Sequence, residues 1–184
     1  MIGLVLRRAA TTDLAAAELD SLHAFLVRAF GDDPDDVLRD DDWQHALGGT
    51  HVLLEEDGAV VAHAAVVERT IEVGDRALRT GYVEAVATRA DRRRAGLGSI
   101  VMRDVAEVIR AGFELGMLGT GVQPFYERLG WRVWAGPSGV RESAGGIRWT
   151  PDEDGYLMVL ETPRTPAIDP ASAILCGPRS GDDW

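Results

Sequence analysis

The alternation of apolar and polar residues is most informative between Tyr82 and Arg110, where it predicts a strand, a loop and a helix in direct succession. Residues 82–88 alternate with a period of two, which is typical of a strand, with Tyr82, Glu84, Val86 and Thr88 on one face and Val83, Ala85 and Ala87 on the other. Apolar residues then recur at helical spacing, at Leu97, Ile100, Val101, Val105, Val108 and Ile109. The opposite helical face carries Arg103, Glu107 and Arg110.

The first half of the chain predicts a strand, two helices and a three-stranded meander. Leu4 to Leu6 reads as a strand, and Thr12 or Asp13 is the predicted cap of a helix that ends near Gly31. The dipeptides Asp57-Gly58 and Gly74-Asp75 suit type I′ and type II′ turns. They predict antiparallel strands at 51–56, 60–73 and 78–88.

The second half predicts a return to the sheet and one more helix. Leu115 to Thr120 is strand-like and should lie parallel to the Tyr82 strand through a right-handed crossover. A helix from Gln123 to Leu129 has a proline in its first turn and a glycine past its end. Strands are predicted at 131–134 and 156–161, and residues 163–184 read as irregular. With no repeat and no linker, the prediction is one α/β domain over residues 1–184.

Charge restricts the class of partner. Nineteen basic and thirty acidic residues give a net charge of −11, which argues against nucleic acid and anionic membrane as partners and favours cations. Seven aspartates lie between Asp32 and Asp42. They predict a solvated loop leading into a helix capped by one of Asp40 to Asp42, with the alternative that Asp42 borders a pocket for a polycation. One cysteine, no apolar run of membrane-spanning length and no basic leader predict a cytoplasmic protein.

The loop after the Tyr82 strand has the features of an anion site. Arg89, Arg92, Arg93 and Arg94 precede Ala95-Gly96-Leu97-Gly98-Ser99 at the start of the helix, and we expect the arginines to form a local positive region. Glycines at a first helical turn let a phosphate approach free N–H groups. The loop lacks the lysine of a Walker loop and the third glycine of a dinucleotide fingerprint. The alternative is an ordinary strand-to-helix turn with a solvated basic edge.

Arg93-x-x-Gly96-x-Gly98 after a strand resembles the pyrophosphate loop of the GCN5-related N-acetyltransferases (GNAT). The resemblance extends from about Asp42 to the end of the chain and narrows to the aminoglycoside 2′-N-acetyltransferases. The segments that carry it are Leu47 to His51, Ala62 to Val66, Gly81 to Glu84, Gly130-Trp131, Gly136-Pro137, Thr150 to Gly155 and Gly181 to Trp184. The chain departs from that family in a longer aspartate-rich segment and in a different stretch from Gly119 to Pro124.

The resemblance implies a fold, a donor and an assembly. The implied GNAT fold is a mixed central sheet of about six to seven strands, splayed at a coenzyme A cleft and flanked by about four helices. It implies acetyl-CoA as donor, resistance to an aminoglycoside as the biological effect, and a homodimer. The implied donor residues are Val86, Ala87, Thr88, Arg93, Arg94, Ala95, Gly96, Leu97, Gly98 and Ser99, with the Val86 amide bonding the acetyl carbonyl.

Acyl transfer to an amine requires a base and a stabilised leaving group. Glu84 is the predicted base, acting through a water, and we expect neighbouring carboxylates to raise its pKa. The alternative is a sheet glutamate paired with Arg79. Tyr126 is the tyrosine that the resemblance implies as the acid for the leaving sulfur, with a core tyrosine as the alternative.

The predicted acceptor residues form an acidic group with one tryptophan. For Asp152 and Glu153 a plain turn is an equal alternative. For the last residues a free tail is the alternative, so their role, with that of the terminal carboxylate, follows from the resemblance alone. The predicted set is Asp42, Glu84, Ala85, Asp152, Glu153, Asp182 and Trp184.

The four histidines and the cysteine predict no metal site and no nucleophile. The histidines lack ligand spacing and are predicted to be satisfied core or surface residues. Cys176 has no recognisable base partner and is predicted to be a packing residue. The function predicted from all these residues is acetyl transfer to an aminoglycoside. The alternatives are transfer to another amine, such as a polyamine, a cell-wall amino sugar or a protein lysine, and a coenzyme A-binding module without turnover.

Overall fold

The computed structural model describes residues 3–31 and 37–184, which contain ten strands and four α-helices. The strands are β1 (Leu4–Ala10), β2 (Thr50–Glu56), β3 (Ala59–Val73), β4 (Arg76–Thr88), β5 (Leu115–Gly119), β6 (Arg132–Val133), β7 (Ser138–Arg141), β8 (Ile147–Trp149), β9 (Leu157–Glu161) and β10 (Ile174–Cys176). The helices are α1 (Ala16–Phe30), α2 (Asp40–Ala46), α3 (Leu97–Gly112) and α4 (Gln123–Glu127). The predicted aspartate-rich loop at 32–36 lies outside the described residues.

The predicted meander is confirmed in β2, β3 and β4. Asp57 and Gly58 both have positive φ, at 52° and 79°, as a type I′ turn requires. Gly74 also has a positive φ, of 60°, in the turn between β3 and β4. These two short turns set the chain direction of three successive strands, and the second turn is also held by a hydrogen bond from the Gly74 N–H to the main-chain oxygen of Ala173, at 3.0 Å.

The chain divides into two compact units. Unit 1 consists of residues 1–67 and 83–105, and unit 2 of residues 68–82 and 106–184. The strands β3 and β4 and the helix α3 each run from one unit into the other.

In unit 1, β1 pairs with β2 and β2 with β3, all antiparallel. The register of β2 and β3 shifts at a bulge between Leu54 and Glu55. Helix α1 buries Leu22, Phe25, Leu26 and Ala29 in the core of this unit, as its apolar stripe predicts. The predicted cap at Thr12 or Asp13 is wrong, because those residues form a 3₁₀ turn and α1 is capped at Ala15, whose N–H donates to Glu18 at 3.0 Å.

In unit 2, the strands follow the order β6-β9-β5-β4-β3-β10-β7-β8. The predicted parallel pairing is confirmed, since Thr80, Gly81 and Tyr82 of β4 pair with Leu115, Gly116 and Met117 of β5. Two predictions are wrong in detail. Helix α4 ends at Glu127 and not at Leu129, and the irregular region 163–184 contains a buried strand, β10, that pairs with β3 and β7.

No helix within residues 3–31 and 37–184 combines the length and the apolar character that crossing a bilayer requires.

Candidate active site

The end of β4 carries a backbone kink at Ala85. This residue has a φ of 50°, a left-handed conformation that costs a non-glycine residue about 1–3 kcal/mol. The predicted unbroken alternation over 82–88 is therefore wrong at this point, because an extended strand needs a negative φ at each residue. Ala87 is buried, whereas Glu84, Ala85 and Val86 are half-buried. The predicted base and the predicted acetyl-binding residue thus flank the kink.

Arg79, the alternative partner that the sequence offers for Glu84, has another carboxylate partner. Its guanidinium pairs with Glu68 at 2.6 Å and donates to the main-chain oxygen of Gly112. Its main-chain N–H donates to the carboxylate of Glu114 at 2.8 Å. Arg79 is therefore neutralised within unit 2 without Glu84, and the role of Glu84 as a base stays a prediction.

The loop before α3 is exposed, whereas the first turn of that helix is buried at Leu97 and half-buried from Gly98 to Ile100. Residues 93–96 are exposed, and Arg94 and Gly96 have positive φ values of 64° and 80°. The first N–H groups of an α-helix have no acceptor within the helix and lie at the positive end of its dipole, which suits a phosphate group. Any side chain at position 96 would be strained in this backbone, so glycine is needed there for its conformation. The loop has the geometry expected of an anion site.

The arginines of this loop do not all contribute free positive charge, and the predicted positive region is wrong in that respect. The carboxylate of Glu56, which is 9% exposed, accepts hydrogen bonds from Arg92 at 2.5 Å and from Arg89 at 3.4 Å. The guanidinium of Arg93 donates to a main-chain oxygen at the end of α1, at 2.7 Å. The cationic character of the loop is therefore concentrated at Arg93 and Arg94.

Asp42 lies in the first turn of α2 and is half-buried. Its carboxylate accepts the main-chain N–H of Arg39 at 2.8 Å. The predicted aspartate cap is wrong, because Arg39 occupies the cap position and Asp42 closes the turn from within the helix. Trp43, the next residue, packs against the same core cluster of unit 1 as Ala85. Trp43 and Ala85, which directly follow Asp42 and Glu84 in the sequence, therefore pack against the same core cluster of unit 1.

A buried histidine pair in unit 1 contacts the kink, and the sequence analysis missed it. His51 and His63 are 0% exposed, and Nδ1 of His51 lies 2.9 Å from Nε2 of His63. At the two ends, Nε2 of His51 lies 2.9 Å from Oγ1 of Thr11, and Nδ1 of His63 lies 2.9 Å from the main-chain oxygen of Ala85. Burial lowers the pKa of His51 to about 4 and of His63 to about 3. The prediction of satisfied core histidines is confirmed for this pair, but the contact with Ala85 depends on the strand register.

Tyr126 is buried in unit 2, in helix α4. Only 6% of the residue is exposed, and its ring makes edge contacts with the rings of Phe125 and Trp131. Burial raises the pKa of Tyr126 to about 12, although a hydrogen bond with the Thr120 side chain opposes the rise. The phenol therefore keeps its proton at neutral pH and is available as a donor.

Three of the predicted acceptor residues lie close together in unit 2. Asp152 and Glu153 belong to the 3₁₀ turn Pro151–Glu153. Burial raises the pKa of Glu153, and the negative charges of Asp182 and Asp152 raise it further. Neighbouring carboxylates whose charges repel are stabilised by a bound cation. The arrangement therefore suits a positively charged ligand.

Trp184 is packed into unit 2, so the alternative of a free tail is wrong. It is 7% exposed, and its indole N–H donates to Oγ1 of Thr150 at 3.0 Å. Its main-chain N–H donates to Asp182 at 3.0 Å, and its main-chain oxygen accepts from Arg179 at 2.9 Å. Thr150 and Arg179 were not predicted as site residues, and the position of Thr150 directly before the acidic turn is the one feature of the sequence that could have pointed to it.

Residues 3–31 and 37–184 contain no group of three or more His, Cys, Asp or Glu side chains arranged to hold a metal ion. Cys176 is buried in β10, and burial raises the pKa of its thiol. A thiol that is harder to ionise is a poor nucleophile, which agrees with the predicted packing role.

Comparison with known proteins first defines the class. Residues 11–134 match a family model described as an acetyltransferase (GNAT) domain. A GNAT protein of Escherichia coli in complex with CoA has a TM-score of 0.65 at 15% identity, over 96% of this chain and 91% of that one. An acetyltransferase of Brucella melitensis in complex with acetyl-CoA has a TM-score of 0.61 at 17% identity, over 92% and 95%. A GCN5-related N-acetyltransferase of Kribbella flavida has a TM-score of 0.59 at 23% identity, over 74% of this chain and only 34% of that one.

A sequence relative then narrows the family. The aminoglycoside 2′-N-acetyltransferase of Mycolicibacterium fortuitum is 40% identical over 178 residues, which cover 95% of this chain and 89% of that protein. The chain belongs to the GNAT acetyltransferases, and within them to the family of this relative. It is an acyltransferase whose donor is acetyl-CoA, as in GNAT acetyltransferases generally. The exposed side chain of Arg94 and the glycine at position 96, in the loop before α3, fit the diphosphate of that donor.

Proposed function

We propose that this enzyme transfers the acetyl group of acetyl-CoA to the 2′-amino group of an aminoglycoside and thereby gives resistance to that antibiotic. The observation that carries the proposal is the 40% identity, over 95% of this chain, to a protein named for that reaction. An aminoglycoside is a polycation, and the carboxylates of Asp152, Glu153 and Asp182 supply the complementary charge. Asp42, Ala85 and Trp184 complete the proposed acceptor residues.

Glu84 is the proposed base. A protonated amine cannot attack a thioester, so a proton must leave the acceptor before the carbon–nitrogen bond is complete. Carboxylates that attract an aminoglycoside also raise the pKa of its amine, which makes a base necessary. Glu84, half-buried beside the kink of β4, takes that proton through a water molecule.

The second part of β4 and the following loop are the proposed donor site. The Val86 N–H donates to the acetyl carbonyl, the backbone of residues 86–88 binds the pantetheine arm, and residues 93–99 bind the diphosphate. The acceptor nitrogen bonds to the carbonyl carbon, the carbon–sulfur bond breaks, and the electron pair leaves with the sulfur. Tyr126, predicted as the acid for the leaving sulfur, has a different role in this proposal: because its pKa is raised to about 12, it donates a hydrogen bond to this thiolate and keeps its proton.

The test is a thiol-release assay with acetyl-CoA and a panel of amines: several aminoglycosides, a polyamine, an amino sugar of the cell wall and a lysine peptide. We expect turnover with aminoglycosides, and product analysis should locate the new acetyl group at the 2′ nitrogen. Turnover with another amine but with no aminoglycoside would show that the acceptor is that amine. Binding of acetyl-CoA without turnover of any amine would favour a coenzyme A-binding module without enzymatic activity.

A pair of glutamine variants tests the base. Glu84→Gln keeps the shape of the side chain and removes its basicity, so we expect kcat to fall on the order of 100-fold or more. Glu68→Gln is the matched control, because Glu68 is exposed on β3 and pairs with Arg79. Wild-type rates in Glu84→Gln would remove Glu84 from the mechanism.

Three broader features belong to the same proposal. Residues 1–184 act as one acetyltransferase domain, since β3, β4 and α3 each run through both units. The enzyme is a homodimer; β1 exposes apolar side chains, with Leu4, Val5 and Leu6 between 41% and 56% exposed, which a second copy could cover. Its location is the cytoplasm, where acetyl-CoA is available. Sedimentation measurements would test the dimer.

A further inference from the structure

Thr11, His51 and His63 form a buried chain of side chains that ends on one main-chain oxygen. The links are 2.9 Å each, from Thr11 Oγ1 to His51, from His51 to His63, and from His63 to the oxygen of Ala85. Both imidazoles are fully buried in unit 1. The mechanism proposed above does not use either of them.

The acceptor at the end of the chain determines where each proton lies. A carbonyl oxygen can only accept, so Nδ1 of His63 carries hydrogen and donates to Ala85. In a neutral imidazole Nε2 is then an acceptor, and it accepts from Nδ1 of His51. Nε2 of His51 in turn accepts from the hydroxyl of Thr11, which lies nearer to this nitrogen, at 2.9 Å, than to the main-chain oxygen of Gly49, at 3.3 Å. The oxygen of Thr11 accepts the N–H of Gly48 at 2.9 Å, so this hydroxyl is also held in place.

Both rings are neutral in this assignment. A second proton on His63 would turn His51 to its other tautomer, with Nδ1 accepting from His63 and Nε2 donating to Thr11, and it would place a positive charge in the buried core. Burial lowers the pKa of His63 to about 3, below that of His51 at about 4, which agrees with this geometry. The chain of donors therefore points in one direction, towards Ala85, over the whole physiological range of pH.

The oxygen of Ala85 belongs to the same peptide group as the N–H of Val86. A trans peptide group is planar, and its carbonyl and N–H point in opposite directions. Fixing the direction of the Ala85 oxygen from one side therefore fixes the direction of the Val86 N–H on the other side. A hydrogen bond to the carbonyl also polarises the peptide group and strengthens its N–H as a donor.

We propose that His63, supported by His51 and Thr11, is a positioning residue that aims the Val86 N–H at the acetyl carbonyl by holding the other end of that peptide group. The inference rests on the donor role proposed for Val86. It also explains why a residue in the strained left-handed conformation persists at position 85, since strain of this kind needs surroundings that hold it. His63 does not touch the substrate in this account, so its effect is on the transition state and not on the binding of the acceptor.

Two amide variants of His63 separate positioning from packing. His63→Asn places an N–H near the former Nδ1 and retains the bond to Ala85, whereas His63→Gln reaches towards the former Nε2 and retains only the contact with His51. We expect His63→Gln to lose kcat on the order of 10- to 100-fold with little change in the acceptor KM. We expect His63→Asn to keep most of kcat. Equal kcat values for wild type and a folded His63→Gln would overturn the proposal.

The tautomers give a second measurement that needs no acceptor. Long-range proton–nitrogen correlation spectra of the histidine rings should find both His51 and His63 neutral and protonated at Nδ1. A proton at Nε2 of His63 would overturn the proposal whatever the kinetics. The spectra also separate this proposal from the proposed acceptor, because the predicted tautomers in an enzyme without aminoglycoside turnover would reject the acceptor alone. The kinetics separate it from the proposed base. A fully active Glu84→Gln variant together with a slow His63→Gln variant would reject Glu84 alone.

Discussion

Trp184 and Thr150 are joined by a hydrogen bond from the indole Nε1 to the threonine hydroxyl, 3.0 Å long, although 34 residues separate them in the chain. Ser138 in turn holds Thr150 in place. The Ser138 hydroxyl lies 2.9 Å from the hydroxyl of Thr150, and it donates either to the main-chain oxygen of Thr150 or to the carboxylate of Asp154. This network ties the end of the chain to the acidic turn that follows Thr150. The carboxylates proposed to bind the acceptor therefore depend on a residue that carries no charge.

Thr150→Val should weaken acceptor binding without affecting the donor. Valine has the shape of threonine but cannot accept the indole N–H, so Trp184 loses its anchor. We expect the acceptor KM to rise several-fold, on the order of 3- to 10-fold, with kcat and the acetyl-CoA KM little changed. Steady-state kinetics with each substrate varied will measure this. Thr70→Val, at an exposed position of β3, is the control, and a matching rise in that variant would contradict the explanation.

Substitutions at Ala85 should reveal the cost of its left-handed backbone. Ala85→Gly relieves the steric strain, which offsets the added flexibility of the unfolded chain, so the free energy of unfolding should be unchanged or rise by up to about 1 kcal/mol. Ala85→Val should lower it by about 1–3 kcal/mol, because a β-branched residue tolerates positive φ poorly. Urea denaturation measures both. Ala59→Val, at an exposed strand position whose φ is not positive, should have little effect, and a similar loss there would argue against backbone strain.

Stability should fall in mild acid because of His51 and His63. In the unfolded chain both take up a proton near pH 6.5, whereas their folded pKa values are about 4 and about 3. Between these values the unfolded chain binds more protons, so the free energy of unfolding decreases as the pH falls below about 6.5. At pH 5 the loss is roughly 2 kcal/mol for each histidine.

The control for this pH effect is a double variant, His51→Gln with His63→Asn, which lacks both titrating rings. Denaturant unfolding at pH 7 and at pH 5 should give a smaller decrease for the double variant than for the wild type. Parallel decreases in the two proteins would assign the acid sensitivity to other groups.

Glu56→Gln should strengthen donor binding and weaken the fold. Removing this carboxylate releases the charges of Arg89 and Arg92 beside the proposed diphosphate loop. We expect a lower acetyl-CoA KM with a steeper salt dependence, and a loss of about 1 kcal/mol of stability. Glu55→Gln on the same strand removes the same charge, but from a pair with Arg7. An unchanged acetyl-CoA KM in Glu56→Gln would show that these arginines do not act on the donor.

Tyr126→Phe should reduce kcat on the order of 100-fold. Because burial raises the pKa of Tyr126 to about 12, the phenol should donate a hydrogen bond to the thiolate without giving up its proton, as an ordinary thiol has a pKa of only about 8.5. The wild-type pH profile of kcat should therefore show no decline from this group below about pH 11. Tyr156→Phe, at a residue that is 49% exposed, is the control. A full-rate Tyr126→Phe would remove the tyrosine from the mechanism.

Elements with local causes were predicted well from the sequence. The turns at Asp57-Gly58 and Gly74-Asp75, and the helix that opens after Gly96, follow from backbone preferences of a few adjacent residues. The backbone of the loop before α3 follows from the same preferences, whereas its binding of the donor stays a prediction. The short strand β10 could not, because residues 174–176 become a strand only through pairing with β3 and β7, which are remote in the chain.

The neutralisation of the loop arginines could not be predicted from the neighbouring sequence either. The sequence places four arginines between positions 89 and 94, but Glu56, which binds two of them, lies more than thirty residues earlier. Likewise, nothing in the last residues of the chain predicts that Trp184 is buried against Thr150. Contacts of this kind depend on which elements pack together.

The sequence by itself determined the meander, the glycine loop after it and the helix that follows, since all of these are encoded within short windows. Tertiary structure decided how His51 and His63 meet. The turn pairs Glu56 with Ala59. If that register continued along both strands without a shift, His51 would pair with Ala64, and the side chains of His51 and His63 would lie on opposite faces of the sheet. Opposite Leu54 and Glu55, β3 contains one extra residue, Val61, so His51 pairs with Ala65 and Leu53 with His63. Side chains alternate with a period of two, and this single extra residue therefore turns His63 to the face of His51.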